Sequence, residues 1–242
     1  MCTFLEILYK NAYALDLQLT KIEKALLCCK AEQDYANVPC GVMDQFASCM
    51  AEEGHAVLVD CKDNTYRLVP FNDKDVCLLV TNSNVKHELT SGKFAENVQL
   101  CQDAAKAMGK QTKKNDRRNF LFEYLAHNNL RDVANVEELD AYRDKMPKLA
   151  YKRARHVVTE MQRTQAGAQA IENSDYKQFG QLMYESHASL QNDFQVSCEE
   201  LDQLVELARG VDGVYGSRMT GAGFGRIEIL DRFLILFYTV VV

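Results

Sequence analysis

Pro39-Cys40-Gly41-Val42-Met43-Asp44-Gln45-Phe46 places a single carboxylate at the start of a short apolar helix. Met43, Phe46, Ala47 and Met50 recur at helical spacing, which predicts a helix over 42–50 that Pro39 and Gly41 help to start. Asp44 falls in its first turn. An aspartate in that position ordinarily answers the helix macrodipole. Among apolar neighbours the same carboxylate also suits a positioned base. Just upstream, Thr20-Lys21-Ile22-Glu23 is a capping box, in which hydroxyl and carboxylate each satisfy the other's end of the backbone. It predicts a helix from Lys21 to about Tyr35, with Ile22, Ala25, Leu26 and Cys29 on its buried face.

Beyond these helices, the runs His55 to Asp60, Tyr66 to Val69 and Val76 to Thr81 read as strands separated by Asp/Asn/Lys turns. Such turns join antiparallel strands, and the resulting sheet should pack on the helices. After Asn84 the pattern turns helical, which predicts a boundary near residue 85. Val98, Cys101, Ala105 and Met108 form one stripe before Gly109. Val157, Met161, Ala168 and Ile171 form a second, and Phe179, Leu182, Met183 and Leu190 a third. Ser197-Cys198-Glu199-Glu200 repeats the capping-box pattern ahead of Leu201, Leu204, Val205 and Ala208, with a stop at Gly210. Lys110 to Arg118 reads as an exposed loop. Gly221-Ala222-Gly223-Phe224-Gly225 can bring backbone N–H groups close to an anion, although glycines so spaced equally serve a tight turn. His87 and His187 each stand alone, the ordinary setting of a satisfied imidazole. No His, Cys or Asp pair has metal-ligand spacing, so no metal ligand is assigned.

A length of 242 residues with 47% hydrophobic content supports one large or two small domains with real cores. The formal charge of −6 argues against nucleic acid or an anionic membrane as partner. Nine cysteines without a CxxC pair fit reduced thiols in a cytoplasm, and the first residues lack the features of a signal peptide.

Six ordered blocks carry a resemblance. They are Leu19 to Cys28; Val38 to Phe46; Thr81 to Leu89; Arg153-Ala154-Arg155-His156-Val157-Val158; Glu185-Ser186-His187 with Val196-Ser197-Cys198; and Leu201 to Glu206 leading through Val214-Tyr215-Gly216-Ser217-Arg218-Met219-Thr220 to Gly221. Together they resemble the galactokinases, within the GHMP small-molecule kinase superfamily, over most of residues 3 to 225. The Cys-Gly-Val-Met-Asp-Gln-Phe form favours galactokinases over the related N-acetylgalactosamine kinases.

The resemblance implies an α+β fold of two lobes with the active site between them. Residues 1–85 would be the remainder of an incomplete N-terminal lobe. Residues 86–242 would be a helical C-terminal lobe with a divergent tail over 226–242. It also implies an enzyme that moves the γ-phosphate of ATP to the C1 hydroxyl of galactose, giving galactose 1-phosphate. Asp44 matches the family's catalytic aspartate and Gly41 a sugar-contacting backbone position. Phe94 stands where the family has a sugar-contacting tyrosine, which leaves ring packing without the hydroxyl. Gly221, Ala222 and Gly223 match the third family motif, near the phosphates, with Ala222 and Arg226 each replacing a usual glycine.

The family's N-terminal sugar clamp and the serine-ending phosphate loop that supplies a Mg²⁺ ligand have no counterpart in these residues. The chain alone is therefore expected to be inactive, with ATP and Mg²⁺ as the implied cofactors and the Mg²⁺ ligands absent. The alternative is a non-catalytic fragment or a regulatory, sugar-sensing partner. The apolar run Phe233 to Val242 is too short to span a bilayer and departs from the family pattern. It reads as an unspliced or frame-shifted end, β-prone if free and able to form one strand.

Overall fold

The computed structural model describes residues 19–36, 40–81, 83, 91–110, 129–221 and 238–241. His87, the charged stretch 111–118 and the glycine-rich residues 222–225 lie outside them. Two compact units divide the chain, one holding the described residues up to Asn72 and the other those from Asp73 onward.

In the first unit, α1 (Lys21–Ala36) opens on the expected capping box. Thr20 N donates to Glu23 Oε2 at 2.8 Å, and Glu23 N donates to Thr20 Oγ1 at 3.2 Å. The second helix, α2 (Met43–Met50), is followed by the antiparallel pair β1 (His55–Asp60) and β2 (Thr65–Pro70), in register from His55 opposite Pro70 to Asp60 opposite Thr65. Ala25, Cys29, Val42, Phe46 and Met50 form the core, with Val57 and Val59 of β1 packed on it.

The buried face of α2 differs from the expected one. Met43 is 56% exposed and Ala47 is exposed, whereas Val42, Gln45, Phe46 and Met50 are buried. The face runs 42, 45, 46, 49, 50, a full helical stripe shifted by one residue from the predicted set. Polar Gln45 disguised it, and a partner on α1 makes that burial affordable.

In the second unit, α3 (Ser91–Ala107), α4 (Val136–Asp140) and α5 (Lys148–Glu172) pack around Cys101, Ala104, Leu130, Leu139, Ala150, Ala154 and Val158. The chain turns after α5 at Ser174 (φ 55°) and enters α6 (Tyr176–Ser189), where the Asp175 carboxylate caps Gln178 N at 3.0 Å. A π-helical turn over Leu190–Phe194 ends in the left-handed Gln195 (φ 56°). Then comes α7 (Glu199–Arg209), whose Leu201 and Val205 are buried as expected. Its start is not a capping box. Cys198 is the N-cap without a side-chain bond, and the Ser197 hydroxyl donates instead to Asp202 Oδ1 at 2.5 Å.

The strand β3 (Leu78–Val80) does not extend the β1–β2 pair. It joins β4 (Gly216–Met219) and β5 (Tyr238–Val241) in an antiparallel sheet of order β3-β5-β4. Val240 of β5 lies opposite both Leu79 and Ser217, so the apolar tail supplies a central strand. β4 meets α6 backbone to backbone. A Cβ on Gly180 would lie 2.2 Å from the Tyr215 carbonyl, and one on Gly216 would lie 2.2 Å from Gly180 O. Glycine at both positions is what permits this approach.

Candidate functional site

Asp44 occupies the first turn of α2, as its sequence setting predicts. Three side chains of α1 hold the chain that leads into it. Gln33 Nε2 donates to Cys40 O at 2.7 Å, and the Cys29 thiol lies 3.6 Å from Gly41 O. Glu32 Oε2 accepts from Gln45 Nε2 at 3.1 Å and from the Cys40 thiol at 3.5 Å. Burial, followed by the neighbouring Cys29 and Glu32, pushes the Cys40 thiol up to about 12, so it remains a protonated donor to that carboxylate. The loop is thus anchored by polar contacts on one side and by buried Val42 and Phe46 on the other.

The Asp44 residue itself is exposed, with its carbonyl accepting from Ser48 Oγ at 2.8 Å. Its carboxyl is held above the ordinary carboxylate range, first because surrounding protein displaces water and second because Glu32 adds like charge. A carboxylate so shifted is a stronger base than a free aspartate. Beside it, Gly41 is exposed, and a Cβ built there would meet nothing within 4 Å. The described packing therefore gives no reason for glycine at 41; the space over its backbone is open.

Sequence reasoning missed Glu32, Gln33 and Gln45. The first two are polar residues in the closing turns of α1 with no motif around them. Gln45 lay inside the quoted stretch, and its signal was its place on the i, i+3, i+4 stripe from Val42.

In the second unit, Phe94 falls in the first turn of α3. Gly221 follows β4 with φ +84°, a conformation that favours glycine, while Ala222 and Gly223 lie outside the described residues. The Arg153-Ala154-Arg155-His156 block is structural. Arg153 donates to Asn97 Oδ1 at 2.7 Å, to Gln195 Oε1 at 2.7 Å and to Asp193 O, and Arg155 pairs with the Asp193 carboxylate. His187 is likewise a buried imidazole, 5% exposed, rather than a ligand. Among the described residues, no group of three or more His, Cys, Asp or Glu could hold a metal ion. The magnesium implied by the sequence has no fitting donor set there, and no chemical step is assigned to it. Nor is any described helix long and apolar enough to cross a membrane.

A family model described as "GHMP kinases C terminal" matches residues 168–226, from α5 through β4 and past Gly221. That stretch matches the C-terminal domain of the GHMP kinases, the class to which this part of the fold points. Within the class, the similar relatives are galactokinases. Galactokinase of Homo sapiens is 47% identical over 202 residues, covering 84% of this chain and 47% of the relative. Galactokinase of Roseiflexus sp. (strain RS-1) is 40% identical over 212 residues, covering 87% and 51% respectively. Among solved structures, Lactococcus lactis galactokinase complexed with galactose superposes with a TM-score of 0.77 at 32% identity, covering 94% of this chain and 53% of that one. The mixed helix-and-strand fold is that of a galactokinase, and the chain spans about half the length of the curated relatives it matches.

Proposed function

We propose that the chain belongs to a galactokinase-type enzyme, in which Asp44 accepts the proton of the galactose C1 hydroxyl as that oxygen attacks the γ-phosphorus of ATP. The P–O bond to the β-phosphate breaks, ADP leaves, and galactose 1-phosphate forms. The observation that carries this reading is Asp44 itself: an exposed first-turn carboxylate, raised in pKa, on a loop anchored to α1 by Gln33, Glu32 and Cys29. Positioning of this kind is what phosphoryl transfer asks of a protein, since there is little covalent chemistry to perform. Gly41 would offer its open backbone face to the sugar, Phe94 its ring, and Gly221 with Ala222 and Gly223 would approach the nucleotide phosphates. In this reading residues 1–85 belong to the N-terminal lobe of the kinase and 86–242 to its C-terminal lobe. A reducing cytoplasm suits it, as the described cysteines are all free thiols.

These 242 residues carry no counterpart of the family's phosphate loop, so the chain assayed alone should release ADP at background. A chimera in which the portion of the Homo sapiens relative preceding the aligned region is joined ahead of residue 19 should phosphorylate galactose in a coupled ADP assay. Asp44→Asn should then lower kcat by about 10²–10⁴-fold, the usual worth of a positioned base. A chimera whose Asp44→Asn form keeps its turnover refutes the role of Asp44. Robust galactose-dependent turnover by the isolated chain refutes its dependence on the missing loop.

A further inference from the structure

His187 lies between Met219 of β4 and Asp202 of α7. The buried backbone N–H of Met219, the last residue of β4, donates to His187 Nδ1 at 3.2 Å. On the other side of the ring, His187 Nε2 faces Asp202 Oδ1 of α7 at 3.2 Å. Because Nδ1 accepts, the ring proton must sit on Nε2 and the imidazole must be neutral; the Asp202 carboxylate lies within ion-pair distance of that nitrogen without completing a hydrogen bond to it. Burial favours that neutral form and pushes the pKa down, against the opposing pull of Asp202 and Glu206 on α7, with Arg218 on β4 adding to the downward shift. Asp202 is itself held in place, accepting from Ser197 Oγ at 2.5 Å and from Gln191 Nε2 at 2.6 Å.

The neighbouring residue is fixed as firmly. Arg218 Nη1 donates to Ser186 Oγ at 3.0 Å and to Glu160 Oε1 at 3.3 Å, while its Nε donates to Met219 O at 3.0 Å. Arg163 takes the second oxygen of Glu160 at 2.9 Å. Met219 is thus held by both of its backbone polar groups, two residues before the left-handed Gly221. A strand end held only by apolar packing could slide by tenths of an ångström; one whose N–H meets a buried imidazole and whose C=O meets a half-buried, ion-paired guanidinium is held against it.

We infer that His187, oriented by Asp202, is a positioning residue that fixes the end of β4 and thereby the placement of Gly221 toward the nucleotide. The inference rests on the assignment of Gly221 to the nucleotide proposed above, and the two can fail separately. An asparagine at 187 can present an acceptor where Nδ1 now sits, whereas a glutamine presents its amide nearer the position of Nε2. In amide hydrogen exchange by NMR on the 242-residue chain, His187→Gln should speed exchange of the Met219 amide by about tenfold, the worth of one net hydrogen bond, and should move the Gly221 amide resonance. His187→Asn should leave Met219 exchange within about twofold of wild type and the Gly221 resonance in place, which a role in packing alone would not produce. Equal acceleration in the two variants, or a Gly221 amide unchanged in His187→Gln, overturns the inference. ATP titrated at millimolar concentration into the active chimera described above should shift its Gly221 amide. A Gly221 amide that ignores ATP while the exchange pattern holds overturns the nucleotide assignment and leaves the His187 contact standing.

Discussion

Lowering the pH from 7 to 4 should remove about 3 kcal/mol of stability from the second unit through His156 alone. This imidazole is 7% exposed, with Nδ1 2.9 Å from Ser189 Oγ and its ring stacked on Phe194 at 4.5 Å between centroids. Burial is the main cause that pushes its pKa from 6.5 down to about 4; the negative charge of Glu160 opposes the shift without cancelling it. The unfolded chain therefore takes up the proton first. The contribution is present above the unfolded value near 6.5 and is lost as pH falls toward the folded value. The fall from 6.5 to about 4, at about 1.4 kcal/mol per pH unit, sets a ceiling of about 3.5 kcal/mol, of which about 3 kcal/mol is gone by pH 4 and about 2 kcal/mol by pH 5. Urea unfolding of the wild type and His156→Gln at pH 7, 6 and 5 tests it, because groups common to both proteins cancel in the difference. The wild type should lose about 2 kcal/mol more than the variant between pH 7 and 5. Equal losses, or a His156 ring resonance that titrates near 6.5 in the folded chain, would refute the reasoning.

Three further outcomes follow from particular contacts. Gly180→Ala should lower stability by about 3 kcal/mol, the upper end for overpacking, because its Cβ would sit 2.2 Å from the Tyr215 carbonyl and backbone cannot rotate aside; thermal unfolding reads the loss. Gly41→Ala should leave stability within about 0.5 kcal/mol, given the open space at that position, yet raise the KM for galactose in the active chimera. Glu32→Gln should lower the pKa of Asp44, measured by the ¹³C shift of its carboxyl, since it removes the like charge while burial persists; an unchanged value would show that Glu32 has no part in it.

What could be read along the chain was local. The capping box at Thr20 and Glu23 forms within four residues, so its sequence spacing is already its geometry. The stripes of α3, α5 and α6 needed only the helical period. Pairing between distant segments was not legible. The short apolar run of β3 says that it is a strand, but its partner β5 lies at the far end of the chain and nothing in either segment names the other. Gln45 and His187 were misjudged or left isolated for the same reason. Each is buried by virtue of a partner on another element, Glu32 for one and Met219 with Asp202 for the other. The Ser197 reading failed more subtly: the serine and the glutamate had the right spacing, but Asp202, five residues on, competes for the hydroxyl and wins it.

The candidate base stands apart from these buried polar groups in one respect. Gln45, Arg153 and His187 each hold a contact that fixes another element, so the fold and the side chain favour the same state. Asp44 makes its hydrogen bond through its carbonyl, to Ser48, while its carboxyl is raised in pKa by the surrounding protein and by Glu32. For an acid, a raised pKa means that the folded chain disfavours the charged form relative to the unfolded one, so the charge works against folding at neutral pH. A carboxylate kept only for the helix dipole would show the opposite sign, since the dipole favours the anion and lowers the pKa. Burial and the charge of Glu32 set the direction of this shift, and a titration of Asp44 in the folded chain separates the two readings: a value above that of a free aspartate sides with the base, one below it with the dipole. A raised value agrees with a group placed for chemistry at the expense of stability, on a stretch of chain that Cys29, Glu32 and Gln33 of α1 hold.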